Sequence, residues 1–143
     1  MKLLKWVGGI VAFYVVFVIL FETVYLGFLQ PSFEEQGIPM LVLTTRNGSG
    51  DKNPRMLANM SVENKIYVSA HHWPRGWYDN AIDYPQVEAE IDGINANYVA
   101  VPVSGSEFEN VAAAWPLGFV TRFLMGFPPE REILRLDPAA PDL

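Results

Sequence analysis

The stretch from Trp6 to Phe21 contains no charged residue, and this limits what the chain can become more than any other feature. Leu, Val, Ile and Phe fall on every side of a helical wheel drawn through it, so it is not one face of an amphipathic helix. Its uncharged part is slightly short of the roughly 20 residues a spanning helix needs, and counting on through Glu22 to Leu29 makes it long enough. Lys2 and Lys5 precede it and Pro31 follows it. Three uses suit such a segment: an anchor that stays on the protein, a signal peptide that is cut away, or a helix lying on a membrane or against the domain. No small-x-small cleavage site follows cleanly. The expected reading is an uncleaved N-terminal transmembrane or membrane-anchoring helix over residues 1–30, with membrane lipid as partner. Lysines before the helix and Glu22, Glu34 and Glu35 after it would put the domain outside the cytoplasm if the helix crosses.

The remaining length suits one domain, residues 31–138, with a Pro- and Ala-rich tail at 139–143. A net charge of -6 argues against a nucleic-acid partner, because a phosphate backbone needs a basic face. The absence of Cys excludes disulfides, thiolate metal sites and thiol nucleophiles. Two adjacent histidines with no further ligands in view do not define a metal site.

Alternation of apolar residues predicts strands at 40–45, 54–61, 66–70, 87–91, 94–103 and 132–136. Ile66, Val68 and Ala70 should share one face of the third. Asp92-Gly93 is a hairpin turn by composition. Short helices are expected at 77–83, stopped by Tyr84-Pro85, and from Ser106 to Trp115. For the second, Ser106 would be the N-cap and Glu109 would close a capping box. Residues 117–127 are apolar and aromatic, and read either as a lid over a lipophilic ligand or as a plain core helix. Six mostly antiparallel strands with two or three helices do not suit a doubly wound sheet. A small closed or half-closed barrel suits them better, since closure removes exposed edges.

Two stretches carry candidate chemistry. His71-His72-Trp73-Pro74-Arg75-Gly76-Trp77-Tyr78-Asp79-Asn80 gathers both histidines and two tryptophans at a strand end, where a Pro and a Gly force a turn. Aromatic faces beside hydrogen-bonding groups suit a flat polar ring, and equally a Trp-rich corner that only fills a small core. Trp73 is the better candidate for the ligand and Trp77 for the core. Arg75 either binds an oxyanion or phosphate or pairs with Asp79 or Asp83. His71, His72 and Tyr78 are the candidate proton donors. The second stretch, Arg46 to Asn53, is a turn by composition. Ser49 and Gly50 could aim backbone N–H groups at an anion, with Arg46, Lys52 and Arg55 around it, or the turn could be an ordinary hairpin with solvated charges.

Taken together, the motifs resemble the deazaflavin (coenzyme F-420)-dependent nitroreductase and quinone reductase family. Leu41-Val42-Leu43-Thr44-Thr45 followed by Arg46-Asn47-Gly48-Ser49-Gly50 is similar to its Leu-Thr-Thr…Gly-Arg-Lys-Ser-Gly signature. Val68-Ser69-Ala70, Trp77-Tyr78-Asp79-Asn80, Tyr84-Pro85-Gln86-Val87 and the closing Ile133 to Pro138 follow its remaining signatures in order. The family's signature Lys is missing here, and His71 to Arg75 replaces its Gly-rich loop. The resemblance implies a six-stranded split β-barrel of the FMN-binding type. It implies an oxidoreductase that passes hydride from a reduced deazaflavin, or FMN as the alternative cofactor, to a quinone, nitroaromatic or similar acceptor. By the same resemblance, Arg46, Ser49 and Gly50 would meet the cofactor's phosphate and acidic tail. Ser69 and Ala70 would lie along the ring, and Trp77 and Asn80 would hold the turn bordering it. A homodimer is an assembly left open. The competing readings are a non-catalytic cofactor- or haem-binding barrel and a structural membrane subunit. Cytoplasmic supply of a deazaflavin would place the domain on the side opposite to the charge rule.

Overall fold

The computed structural model describes residues 2–26, 37, 39–73 and 75–140. The tail expected at 139–143 and the segment 31–39 before the first strand lie mostly outside them. Helix α1 (Lys2–Leu20) runs on into a π-helical turn at Phe21–Leu26. Seven strands follow: β1 (Met40–Arg46), β2 (Lys52–Ala58), β3 (Met60–Val62), β4 (Lys65–Ala70), β5 (Gln86–Ile91), β6 (Ile94–Pro102) and β7 (Glu132–Pro138). Helix α2 (Gly76–Asp83) lies between β4 and β5. Helices α3 (Gly105–Ala114) and α4 (Phe119–Leu124) lie between β6 and β7.

All strands pair antiparallel in one sheet, in the order β2-β1-β5-β6-β7-β4-β3. The two outermost strands are neighbours in sequence, with only Asn59 between them, and the Asn59 N–H donates to the Pro39 carbonyl at 2.9 Å. A sheet whose ends meet in this way must curl, so it forms a half-closed barrel. This is the expected barrel with one more strand. The run expected at 54–61 is broken at Asn59, and β2 begins at Lys52, inside the expected turn. Registry explains the second point: Arg46 pairs with Lys52, leaving only Asn47 to Asp51 as the connection. Pro54 is tolerated because β2 is an edge strand that can lack one N–H.

The barrel interior is filled by Leu41, Leu43, Val68, Ala70, Leu134 and Leu136, with Trp77 and Ala81 of α2 as the plug. As expected, Val68, Ala70 and Ile66 share the inward face of β4. The opposite face of β4 is also buried, because Tyr67 joins Met60, Ile133 and Val111 beneath α3. Two tight turns use left-handed residues: Glu63 and Asn64 (φ 52° and 61°), and Asp92 and Gly93 (φ 52° and 77°). Both match the hairpin geometry that follows strand twist.

Two helical expectations are corrected. Helix α3 begins at Gly105, so Ser104 and not Ser106 stands at its N-cap, and no side chain caps it. Its Glu107 instead turns to the sheet, where Arg135 donates to it at 2.9 and 3.0 Å and Tyr67 at 2.8 Å. Burial and the Glu107 carboxylate push the Tyr67 phenol up to about 12. Residues 117–127 do not form a core helix. Helix α4 is short and exposes Phe119 and Val120. Its backbone partner is α1: the Tyr14 hydroxyl donates to the Phe123 carbonyl at 2.7 Å, and their rings stack at 5.1 Å.

Gly126 makes this contact possible. Its φ of +71° disfavours any side chain, and an added Cβ would sit 2.7 Å from Cγ1 of Val18. Gly126→Ala is expected to lower stability by about 1 kcal/mol or more, the usual cost of a side chain at positive φ. It should also loosen α1, which limited proteolysis after the helix would register. An unchanged melting temperature and cleavage pattern would mean that α1 does not rest on Gly126.

Candidate functional site

The end of β4 delivers Ser69 and Ala70 into the barrel wall and then His71, His72 and Trp73 at a bend. This part of the expected site does come together. The Nε of Arg131 donates to the Ser69 hydroxyl at 2.7 Å, and Nδ1 of His71 lies 3.1 Å from the same oxygen. Because Ser69 accepts from a permanent cation, its own hydrogen is available to His71 Nδ1. Nδ1 of His71 accepts that hydrogen in the Nε2–H tautomer and donates to the Ser69 oxygen in the other. Burial, then His72 and Arg131, hold His71 down to about 3. Burial, then Arg55 and Arg75, hold His72 down to about 4. Both imidazoles are therefore neutral at neutral pH, and their rings are 4.1 Å apart. His71 lines a cleft of about 420 Å³ with Arg131, Arg122, Phe108, Leu117 and Met125.

Arg131 was not singled out by the sequence. It sits just before β7, far along the chain from Ser69, and also donates to the Trp115 carbonyl and to the Met60 sulfur. No local pattern marks it. Glu22 was also missed, although a lone carboxylate in an apolar run is a signal of its own. It lies close to the histidine bend: the Trp73 backbone donates to it, and Arg55 acts on it through space. Among the described residues one of its oxygens is buried without a hydrogen-bond partner, as is Nδ1 of His72.

Other candidate residues are already engaged. Arg75 pairs with Glu132, not with Asp79 or Asp83. Its three donors go to Glu132 at 3.1 Å, the Pro129 carbonyl at 2.8 Å and the His72 carbonyl at 3.0 Å. It clamps the histidine bend to the start of β7. Tyr78 is raised by burial and by the same Glu132. Trp73 is half exposed and donates through Nε1 to the Gly126 carbonyl at 3.2 Å. Trp77 is buried in the core, as expected.

The β1–β2 turn lies apart from the histidines. Arg46 and Lys52 both reach Glu88, at 2.9 and 2.8 Å. The N–H groups of Ser49 and Asp51 both donate to Oδ1 of Asn47, and that of Gly50 to the Asn47 carbonyl. The turn satisfies itself, so it presents no ready cradle for an anion. Arg55 differs. It makes no hydrogen bond or ion pair among the described residues, and with Asn53, Trp77 and Asn80 it bounds a second cleft of about 340 Å³ between β2 and α2. Among the described residues no cluster of three metal-ligating side chains occurs.

The curled seven-stranded sheet with helices inserted between β4 and β5 and between β6 and β7 is a split β-barrel. No family model matches the sequence, and no curated protein does. Solved structures do. A reductase dependent on reduced coenzyme F-420 is 18% identical, with TM-score 0.56 over 69% of this chain and 94% of that one. The haem storage protein of Vibrio cholerae is 18% identical, with TM-score 0.50 over 78% of this chain and 91% of that one. A pyridoxamine 5′-phosphate oxidase-like protein from Listeria innocua is 15% identical, with TM-score 0.51 over 78% and 94%. At these identities the likeness is one of fold.

Proposed function

We propose that the chain is a membrane-associated oxidoreductase. In this reading residues 1–30 tether a barrel (31–138) that binds a deazaflavin, or FMN, and reduces a lipophilic electron-poor acceptor such as a quinone. The observation that carries it is the Arg55 guanidinium in the β2–α2 cleft, which makes no hydrogen bond or ion pair among the described residues and shares that cleft with Asn80 and buried Trp77. A phosphate-bearing cofactor would find its charge there, and not at the self-satisfied β1–β2 turn. When bound, such a cofactor supplies the hydride. The chain's own residues bind and polarise. Arg55 would take the phosphate and Asn80 a polar edge. Neutral His71 lines the 420 Å³ cleft, where in its Nε2–H tautomer it would hydrogen-bond an acceptor oxygen. Its low pKa keeps it uncharged at neutral pH, so any hydrogen bond it donates would come from the neutral ring. Phe108, Leu117 and Met125 exclude water from that oxygen. The F-420-dependent reductase of similar fold supports this reading.

The test is a titration of the full chain in detergent with reduced deazaflavin and with FMN. Arg55→Ala should weaken binding by about 1.5–3 kcal/mol, roughly 10- to 150-fold, the range for hydrogen bonds to a charged group. Arg46→Ala should stay within about threefold, because that side chain is spent on an exposed pair with Glu88. Binding of neither cofactor would remove the reading.

One observation favours a second reading, haem binding. His72 is neutral and its Nδ1 is buried with no hydrogen-bond partner among the described residues, so this imidazole would be available to hold a haem iron. Haem proteins of Vibrio cholerae and Mycobacterium smegmatis are of similar fold. A Soret band in the purified protein, lost in His72→Ala, would decide for it.

A further inference from the structure

Phe119, Val120, Phe123 and Phe127 form an exposed apolar patch on α4 and the turn after it. Phe119 is 72% and Val120 69% exposed, and the Phe127 ring stands 5.6 Å from Phe119 and 6.1 Å from Phe123. A cluster of this kind on a protein surface marks a site of contact. The occupant can be argued from what lies beside it. Leu3–Val24 of the N-terminal helix is apolar enough and, at 22 residues, long enough to cross a membrane. Its outer side chains are exposed, but Tyr14 and Val18 are docked on Phe123 and Gly126.

Heights along the helix make the link. At 1.5 Å per residue the apolar segment is about 33 Å long, and Tyr14 stands roughly 15 Å from its Val24 end. A barrel wholly in water could touch the helix only near that end. The contact sits instead near the middle of the apolar segment, so whatever hydrocarbon surrounds the helix also reaches α4.

We propose that α4 and the turn to Phe127 form a second membrane-contacting element, immersed in acyl chains of the leaflet that holds the C-terminal half of α1. Arg122 belongs to the same element. Its side chain is exposed and makes no hydrogen bond or ion pair among the described residues. A long cationic stem of this kind can lie along apolar surface and bring its charge to a lipid phosphate. Leu117 and Met125 then become the lipid-side wall of the 420 Å³ cleft, and a lipophilic ligand could enter that cleft from the bilayer. The inference goes beyond the proposed chemistry and would stand if no cofactor bound.

The chain has no cysteine, so one introduced thiol takes a single label. Phe119→Cys and Val120→Cys, each replacing an exposed side chain, would carry an environment-sensitive fluorophore. Asp92→Cys is the control, since the β5–β6 turn lies at the far end of β6 from Pro102 and β7's start. The full chain is placed in vesicles of phosphatidylcholine and phosphatidylglycerol, with and without acyl-chain spin-labelled lipid. Blue-shifted emission quenched by the spin label at Phe119→Cys and Val120→Cys, but not at Asp92→Cys, is expected. Labels on α4 quenched no more than the Asp92→Cys label would overturn the proposal, including the case in which a second copy of the chain covers the patch.

Discussion

Acidifying from pH 7 to pH 4 is expected to unfold the barrel. His71 and His72 titrate at about 3 and about 4 in the folded chain, against an ordinary 6.5, chiefly because they are buried. Their folded values are depressed, so the unfolded chain takes protons that the folded chain refuses as pH falls below about 6.5. The stability held above that pH is lost progressively down to the folded values. Each histidine contributes about 1.4 kcal/mol per pH unit across its window. By pH 4 the two together cost on the order of 5 kcal/mol, comparable to the whole stability of a small domain. Glu88, Glu107 and Asp137, each lowered first by a hydrogen bond from Lys52 or Arg135, add to the loss only lower, within the carboxylate range. Urea midpoints at pH 7 and pH 5 separate the two contributions, because at pH 5 the carboxylates are still ionised. A midpoint unchanged between these pH values would show that the histidines titrate normally. His71→Asn with His72→Asn should flatten the profile.

Arg131→Ala should be the most damaging single change near the cleft, at about 2–4 kcal/mol. The guanidinium ties three elements together: Ser69 of β4, the Trp115 carbonyl after α3 and Met60 of β3. Two of these bonds are from a charged donor to oxygen, and hydrogen bonds of that kind are worth about 1.5–3 kcal/mol each. Truncation also leaves the part-buried Trp115 carbonyl and Ser69 oxygen short of a partner. A functional signature accompanies the instability. Ser69 loses the donor that fixes its hydroxyl beside His71, so the imidazole tautomer is no longer held. The nitrogen chemical shifts of His71 report this directly: they should indicate mainly one tautomer in the parent and a mixture in the variant. Arg131→Lys would not rescue it, since an ammonium cannot reach the three partners in one plane. A variant as stable as the parent, with the same His71 tautomer, would remove Arg131 from this role.

What could be read from the chain was whatever repeats over a few residues. Alternation in 66–70 and 87–91, the left-handed pair Asp92-Gly93 and the Tyr84-Pro85 stop each act through their immediate neighbours, and each appears where expected. The capping box expected of Ser106 and Glu109 failed because the helix is entered earlier, through Gly105 at φ +61° with Ser104 at its N-cap, and Glu107, three residues after Ser104, is drawn to Arg135 on β7. The turn at Ser49 and Gly50 looked able to bind an anion by composition. Its N–H groups are taken by Asn47, and Glu88 on β5 takes the two cations beside it.

The apolar run from Trp6 to Phe21 determined by itself that this chain has a helix with no polar face. The strand pattern after it determined a small antiparallel barrel. Neither determined how the two meet. That Tyr14 and Val18 rest on α4, that Glu22 reaches the histidine bend, and that Arg131 holds Ser69 and His71 were decided only when the sheet curled. The curl brings residues scores of positions apart within hydrogen-bonding distance. Burial and hydrogen bonding at such distances leave no periodic trace in a sequence, because one side chain at each end is enough.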